Sequence, residues 1–358
     1  AKDTAGSASS GEPYRKQLTL DFAVGDAVFI PGNGAAQGEL FSMSDQLGDN
    51  LVFGSISSFQ GRQLGSILAN LSANVVYINR SRRVNWGVGA FRTRSRNFEG
   101  ERFIAYNELA YGALGILRYP LSRFSRLDGT FIIEHSDRVD FTLTVDEPRR
   151  VGWIASHFVS YVHDNALWIS SGPIDGSRFS VTAGVSSDFT NSRFDSYLIT
   201  GDYRRYFRFG QRTAWAIRGY GFYSGGDRPR RTNIGGTFGL RGYPLIGYIV
   251  GSQAYMFNQE LRVPLLTHLT LGTPFGDLDL PEIQGGFFTD VGKATFETTP
   301  GRATIGSFGV SFRMALGPLA VLRLDVGRRF TSDDYRGYGL SPDQRDGDFV
   351  SFFFGYNY

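Results

Sequence analysis

One arginine, Arg241, stands in the stretch GGTFGLRGYPLIGY at 235–248, among glycines and aromatics in a segment too irregular for helix or strand. A guanidinium there can do one kind of chemistry well. Its planar fork of donors grips carboxylates with defined geometry, and in a partly dehydrated place it must be paired. A solvated surface loop with an incidental Arg-Gly pair would look the same in isolation. Other residues offer less. His157 and His163 lie on one strand face with Asp164 adjacent, but the further ligands a metal needs are missing, so they read as strand or rim histidines. GNGAAQG at 32–38 lacks the following helix of a phosphate-cradling loop and reads as an exposed loop. Asp333 and Asp334 read as solvated loop charges. No catalytic constellation emerges, so no enzyme activity, cofactor or metal is expected.

Composition says what kind of framework must position that arginine. Among 358 residues there are 46 glycines, 31 Phe and 18 Tyr, only 3 Met, and 20% charged residues, a mix suited to twisted strands and tight turns. No linker divides the chain into two cores, so one large all-β unit is the simpler reading. Cysteine is absent, which excludes disulfides and thiolate metal sites and suits an envelope or secreted protein. The net charge of +3 comes from 37 basic and 34 acidic residues, too even for a nucleic-acid footprint, although Arg228, Arg230 and Arg231 form a candidate basic patch. No apolar run is long enough for a membrane-spanning helix and no signal peptide opens the sequence, so a removed signal or a longer precursor is expected. Residues 1–15 are small, polar and patternless, and read as a linker or tail.

From residue 16 onward a two-residue alternation takes over. Leu18, Leu20, Phe22 and Val24 share one face, as do Phe179, Val181, Ala183 and Val185. In the last segment, FVSFFFGYNY, the shared face carries Val350, Phe352, Phe354, Tyr356 and Tyr358. Alternation alone fits a soluble sandwich as well as a membrane barrel. Length separates them: many segments reach roughly ten residues, what a tilted strand needs to cross a bilayer, where globular strands average about five to six. About sixteen such segments can be drawn, an even number within the range of outer-membrane barrels. The spans 38–45 and 68–79 are the weakest of them. Tight links at 47–49, 80–82, 119–120, 210–211 and 317–318 alternate with long loops at 93–102, 137–150 and 331–348, the layout of a transmembrane barrel with both termini on the periplasmic side. Links 165–176 and 265–280 break that rule. Tyr119, Phe209 and Trp168 near strand ends suit interfacial anchors.

At Leu240, Arg241, Gly242 and Tyr243 the chain resembles the bacterial surface-antigen barrels, the superfamily of BamA, TamA and the two-partner secretion translocases such as FhaC. NQELRVP (258–264) and GFFTDVG (286–292) resemble the strands that follow the family's motif loop. SDQLGDN (44–50) and YVHDNALWISSGPIDG (161–176) resemble earlier turns, especially of members fused to a periplasmic propeller. The resemblance implies a 16-stranded antiparallel transmembrane β-barrel over 16–358, with a long extracellular loop folded into the lumen. It makes Arg241 the tip residue, with Glu260 and Asp290 as acidic partners on the inner wall. Parity agrees, since Phe257, Leu261 and Val263 share one face and leave Asn258, Glu260 and Arg262 on the other, while Asp290 falls opposite Phe287 and Thr289. Gly239 and Gly242 are expected to supply positive φ and close approach at the bend.

The implied function is assistance to the insertion or translocation of proteins at the outer membrane. The first and last strands would form a weak seam, where Gly355 loosens packing and an incoming strand could pair. The other reading is structural, a barrel that anchors or displays an upstream domain or a partner complex. Expected partners are outer-membrane lipid, client proteins and a periplasmic domain or subunit, with no nucleic acid.

Overall fold

The structure is a computed structural model describing residues 17–30, 34–60, 71–99, 104–140, 149–169, 172–244, 248–267, 269–273, 276–280, 282–297, 301–316, 320–332 and 337–355. The proposed tail at 1–15, the tight link at 317–318, Asp333, Asp334, Tyr356 and Tyr358 lie outside them.

Seventeen strands form one sheet. Its ladder is a meander in chain order, each strand antiparallel to its neighbours: Thr19–Ile30, Gly34–Ser44, Asn50–Gln60, Leu71–Asn79, Asn85–Glu99, Ile104–Pro120, Ser125–Asp140, Arg149–Asp164, Gly172–Asp188, Arg193–Arg208, Ala214–Gly225, Gln253–Leu266, Ile283–Thr295, Ile305–Leu316, Ala320–Thr331 and Gly347–Gly355. The remaining member, Leu167–Ile169, pairs with the start of Gly172–Asp188, so the irregular link at 165–176 is itself partly strand. The irregular link at 265–280 holds a hairpin of its own, Leu269–Thr273 against Gly276–Leu280.

Several sequence expectations are corrected. The first strand runs to Ile30, and Ile30 pairs with Gly34, so residues 34–38 of GNGAAQG are strand and no exposed loop. Cross-strand pairing on both sides satisfies their backbone groups and overrides the weak strand preference of Gly and Ala. Tyr119 and Pro120 close a strand, and the turn falls at 121–124. Strands Asn85–Glu99 and Ser125–Asp140 climb well into the stretches expected as long loops. The loop at 331–348 carries a one-turn helix, Pro342–Arg345, started by a capping box at Ser341 and by Pro342.

Alternation divides each strand between two unlike faces. On one, Phe287, Val350 and Phe352 are 65%, 70% and 64% exposed, a greasy surface that no soluble fold would leave uncovered. On the other lie Ser156, Ser186, Ser196, Asp290, Ser307, Ser311 and Asp325, all buried. Burial of the polar face requires the sheet to curl around it. Arg262 Nη1 donates to the Pro173 carbonyl at 3.2 Å although two strands lie between them, about 14 Å of backbone spacing were the sheet flat.

Candidate functional site

From the end of Ala214–Gly225, the segment of described residues 226–244 and 248–252 folds over the polar face. Two-residue strands, Thr232–Asn233 against Val250–Gly251, staple its base. Inside the staple the Leu240 N–H donates to the Ile234 carbonyl at 2.7 Å, and that of Gly239 to Gly236 at 2.9 Å. Among the described residues of the segment, Gly226 (112°) at its start and Gly236 (93°) and Gly242 (83°) inside the staple have positive φ. Gly239 serves by close approach, because a Cβ there would collide with the Ile234 carbonyl. Positive φ is nearly free for glycine, so the chain reverses tightly and presents the side chain between Leu240 and Gly242 to the wall.

That side chain is Arg241, buried at the strand pair Gln253–Leu266 and Ile283–Thr295. Their register sets Asn258 opposite Asp290 and Glu260 opposite Phe288, so both carboxylates leave the wall on the same face. Arg241 Nε donates to Asp290 Oδ2 at 2.6 Å and Nη2 to Oδ1 at 2.7 Å, while its backbone N–H reaches Oδ2 at 3.1 Å. Nη1 donates to Glu260 Oε2 at 2.9 Å. Phe288 lies beneath, with the guanidinium carbon 3.7 Å from the ring centroid. Asn258 ties wall to loop, donating to Asp290 Oδ1 at 2.8 Å and to the Gly239 carbonyl at 2.9 Å. Burial works against the Arg241 charge, but Asp290 and Glu260 outweigh it and raise its pKa above the ordinary value.

The residues on either side of the arginine have separate tasks. Leu240 enters a buried apolar cluster with Ile234, Ile249, Met256 and Ile305. Tyr243 donates its hydroxyl to the Gly306 and Phe330 carbonyls at 2.8 and 3.1 Å. Gly242 faces Phe349, and its carbonyl accepts from Arg329 Nε at 2.6 Å.

Further participants surround the clasp, of which sequence reasoning had not singled out Arg313. Arg313 Nη2 donates to Glu260 Oε2 at 2.6 Å, and Arg262 Nε stands 3.6 Å from Oε1. Arg323 binds Asp325 at 2.9 Å. Their signal was parity: Ser307, Ser311 and Arg313 alternate with Phe308 and Phe312, and Arg323 and Asp325 with Leu322 and Leu324. Tyr338, from the loop before the last strand, is fully buried in the same apolar cluster and donates to the Ala303 carbonyl at 2.9 Å. No local pattern announced it.

Other candidates fall elsewhere. Phe352 sits on the exposed face of the last strand, while Phe354 and Gly355 pair across from Leu322 and Val321. His157 packs on Phe131, and His163 on Phe179 and against Ser125 Oγ at 2.9 Å. Among the described residues no group of three or more His, Cys, Asp or Glu could hold a metal. Two members of the basic patch turn to polar neighbours, Arg230 Nη2 reaching Ser156 and Ser186 at 2.8 and 3.0 Å and Arg228 reaching Asp188 at 3.3 Å, while Arg231 is exposed and lies over the Phe296 ring. Tyr119, Trp168 and Phe209 are exposed near strand ends, as interfacial anchors would be.

No family model matches the chain, and no curated protein does. Solved structures do. BamA from Haemophilus ducreyi lacking POTRA domains 1–3 superposes with a TM-score of 0.68 at 14% identity, over 95% of this chain and 70% of that one. CdiB from Acinetobacter baumannii gives 0.55 at 14% identity over 95% and 60%, and CdiB from Escherichia coli 0.55 at 12% over 96% and 63%. The chain thus spans less than two thirds of either CdiB. At such identities the likeness is one of fold: this all-β antiparallel architecture is shared with BamA and CdiB.

Proposed function

We propose that the sheet closes into a sixteen-stranded transmembrane barrel in the bacterial outer membrane, with strand Gly347–Gly355 meeting Thr19–Ile30, and that it helps client proteins insert into or cross that membrane. The observation that carries the reading is the clasp of Arg241 on Asp290 and Glu260, which holds a long loop against the polar face of a sheet whose other face is greasy. A closed sheet, apolar outward and polar inward, satisfies every backbone group within a bilayer. The fold likeness to BamA and CdiB supports the same reading. The loop acts as a latch: docked, it fills the interior and stiffens the wall formed by Gln253–Leu266 and Ile283–Thr295. The first-to-last seam is the place where a client strand would pair by edge augmentation.

Depletion of the protein in its host, followed by quantitative proteomics of the outer membrane, tests the activity. Broad loss of other barrel proteins, or failure of a dedicated secreted client to appear, is the expected result. An unchanged proteome would leave a barrel that anchors a partner and would end the insertase or translocase reading.

A further inference from the structure

Beside the clasp lies a cavity of about 320 Å³ whose wall carries Arg204, Arg218, Arg241, Arg262, Arg313 and Arg323. Four carboxylates serve these six guanidiniums. Asp202 takes Arg204 and Arg218, Asp290 takes Arg241, Asp325 takes Arg323, and Glu260 is shared among Arg241, Arg313 and the more distant Arg262. Among the described residues, two positive charges are left over around this space.

The hydrogen bonding points the same way. Arg313 is only 7% exposed, and its Nε has no hydrogen-bond partner. Arg262 Nε and Glu260 Oε1, 3.6 Å apart, are likewise buried without one. Buried guanidinium donors without acceptors are costly, and the side chains that carry them line a space large enough for a small ion. Arg204 and Arg218 give Nε and Nη2 to Asp202 in fork fashion, and Arg218 gives Nη1 to the Phe238 carbonyl at 2.6 Å, which fixes that wall. Several guanidiniums around one space suit an acceptor-rich anion of charge near −2 that they can grip at once.

We propose that this cavity binds a small tetrahedral oxyanion of the phosphate class, held by Arg262, Arg313 and Arg323 beside the Arg241 clasp. The anion sits between the loop and the wall and neutralises the excess charge, so it favours the docked loop. The site follows from the charges and the cavity and does not depend on the proposed transport activity.

Titration calorimetry of the folded full chain with inorganic phosphate, at constant ionic strength and against chloride as control, tests it. Saturable binding near one phosphate per chain is expected, with a phosphate-dependent rise in melting temperature. Arg262→Gln should weaken binding tenfold or more, and Arg82→Gln, on an exposed turn, should leave it unchanged. Should Arg262→Gln fail to fold, Arg262→Lys keeps the charge without the fork and is expected to lose several-fold in affinity. Glycerol phosphate as a second ligand separates sources: binding by both supports a site open to phosphorylated headgroups, and binding of inorganic phosphate alone supports one for the free ion. Heats no larger than those of chloride, or equal phosphate affinity in parent and Arg262→Gln, would overturn the proposal.

Discussion

Arg241 holds Asp290 with three donors at once, two from the guanidinium at 2.6 and 2.7 Å and one from its own backbone N–H at 3.1 Å. The carboxylate therefore fixes the position of the loop backbone as well as the side chain. A longer acid could not keep all three contacts without shifting the loop, so Asp290→Glu is expected to weaken the clasp even though the charge survives.

Removing a charge is worse. Asp290→Asn leaves a buried guanidinium half-compensated, and breaking a buried pair typically costs ~3–5 kcal/mol. Glu260→Gln should cost at least as much, because Arg241, Arg313 and Arg262 all lean on that carboxylate. Rapid protease cleavage within 226–250 and a lowered melting temperature are the readouts. A resistant loop in Asp290→Asn would mean that the pair does not hold it.

Gly242→Ala carries two penalties. At φ 83° a side chain costs about 1 kcal/mol in local strain. The added Cβ would also stand 2.6 Å from the Phe349 ring. Pairing it with Phe349→Ala should relieve the collision and leave the backbone strain, so the double variant is expected to cost less than the sum of the two singles. Simple additivity in melting experiments would contradict that geometry.

Alkaline pH should loosen the loop through Tyr243. Burial raises its phenol above the ordinary 10.0, a shift only partly offset by the hydrogen bonds to Gly306 and Phe330. With the folded-state value above the unfolded one, the stabilisation is fully present below pH 10 and is lost as pH rises toward the folded value. Arg241, raised likewise, stays charged throughout that window. Loop protection should be flat to about pH 10 and then fall, and Tyr243→Phe should flatten the fall at a neutral-pH cost of ~1 kcal/mol. An alkaline limb unchanged in Tyr243→Phe would assign it to another group.

For the proposed barrel, Arg241→Ala should raise single-channel conductance over the parent in planar bilayers, because an undocked loop would no longer fill the interior. Equal conductance with the loop demonstrably released would show that something else occludes it. Val350→Arg tests the outer face independently: in a membrane barrel a lipid-facing arginine costs up to about 2–4 kcal/mol, less toward the interfaces, whereas on a soluble surface the melting temperature should hardly move.

The sequence made the alternating faces legible because a strand has a period of two and nothing in the tertiary structure can change it. Glu260 and Asp290 could be placed on one face for that reason, and the parity argument reached their side of the sheet without coordinates. The same alternation sets Arg323 and Asp325 opposite Leu322 and Leu324, and it extends to Arg313, whose strand alternates as cleanly. Register and closeness were out of reach, since they depend on how far the sheet curls: that Arg262 meets Pro173, or that Tyr338 arrives from a loop almost a hundred residues after Arg241, is settled by three-dimensional packing alone. The glycine-rich run at 34–38 misled for a related cause, because local preference pointed to a loop while neighbours on both sides made it strand.

Tyr338 has a consequence for motion. Its ring is shut inside the cluster formed by the arginine-bearing segment, and its hydroxyl is spent on Ala303 across the wall. The two long excursions share one packed cluster, so lifting either strips apolar cover from the other, and their opening is expected to be coupled.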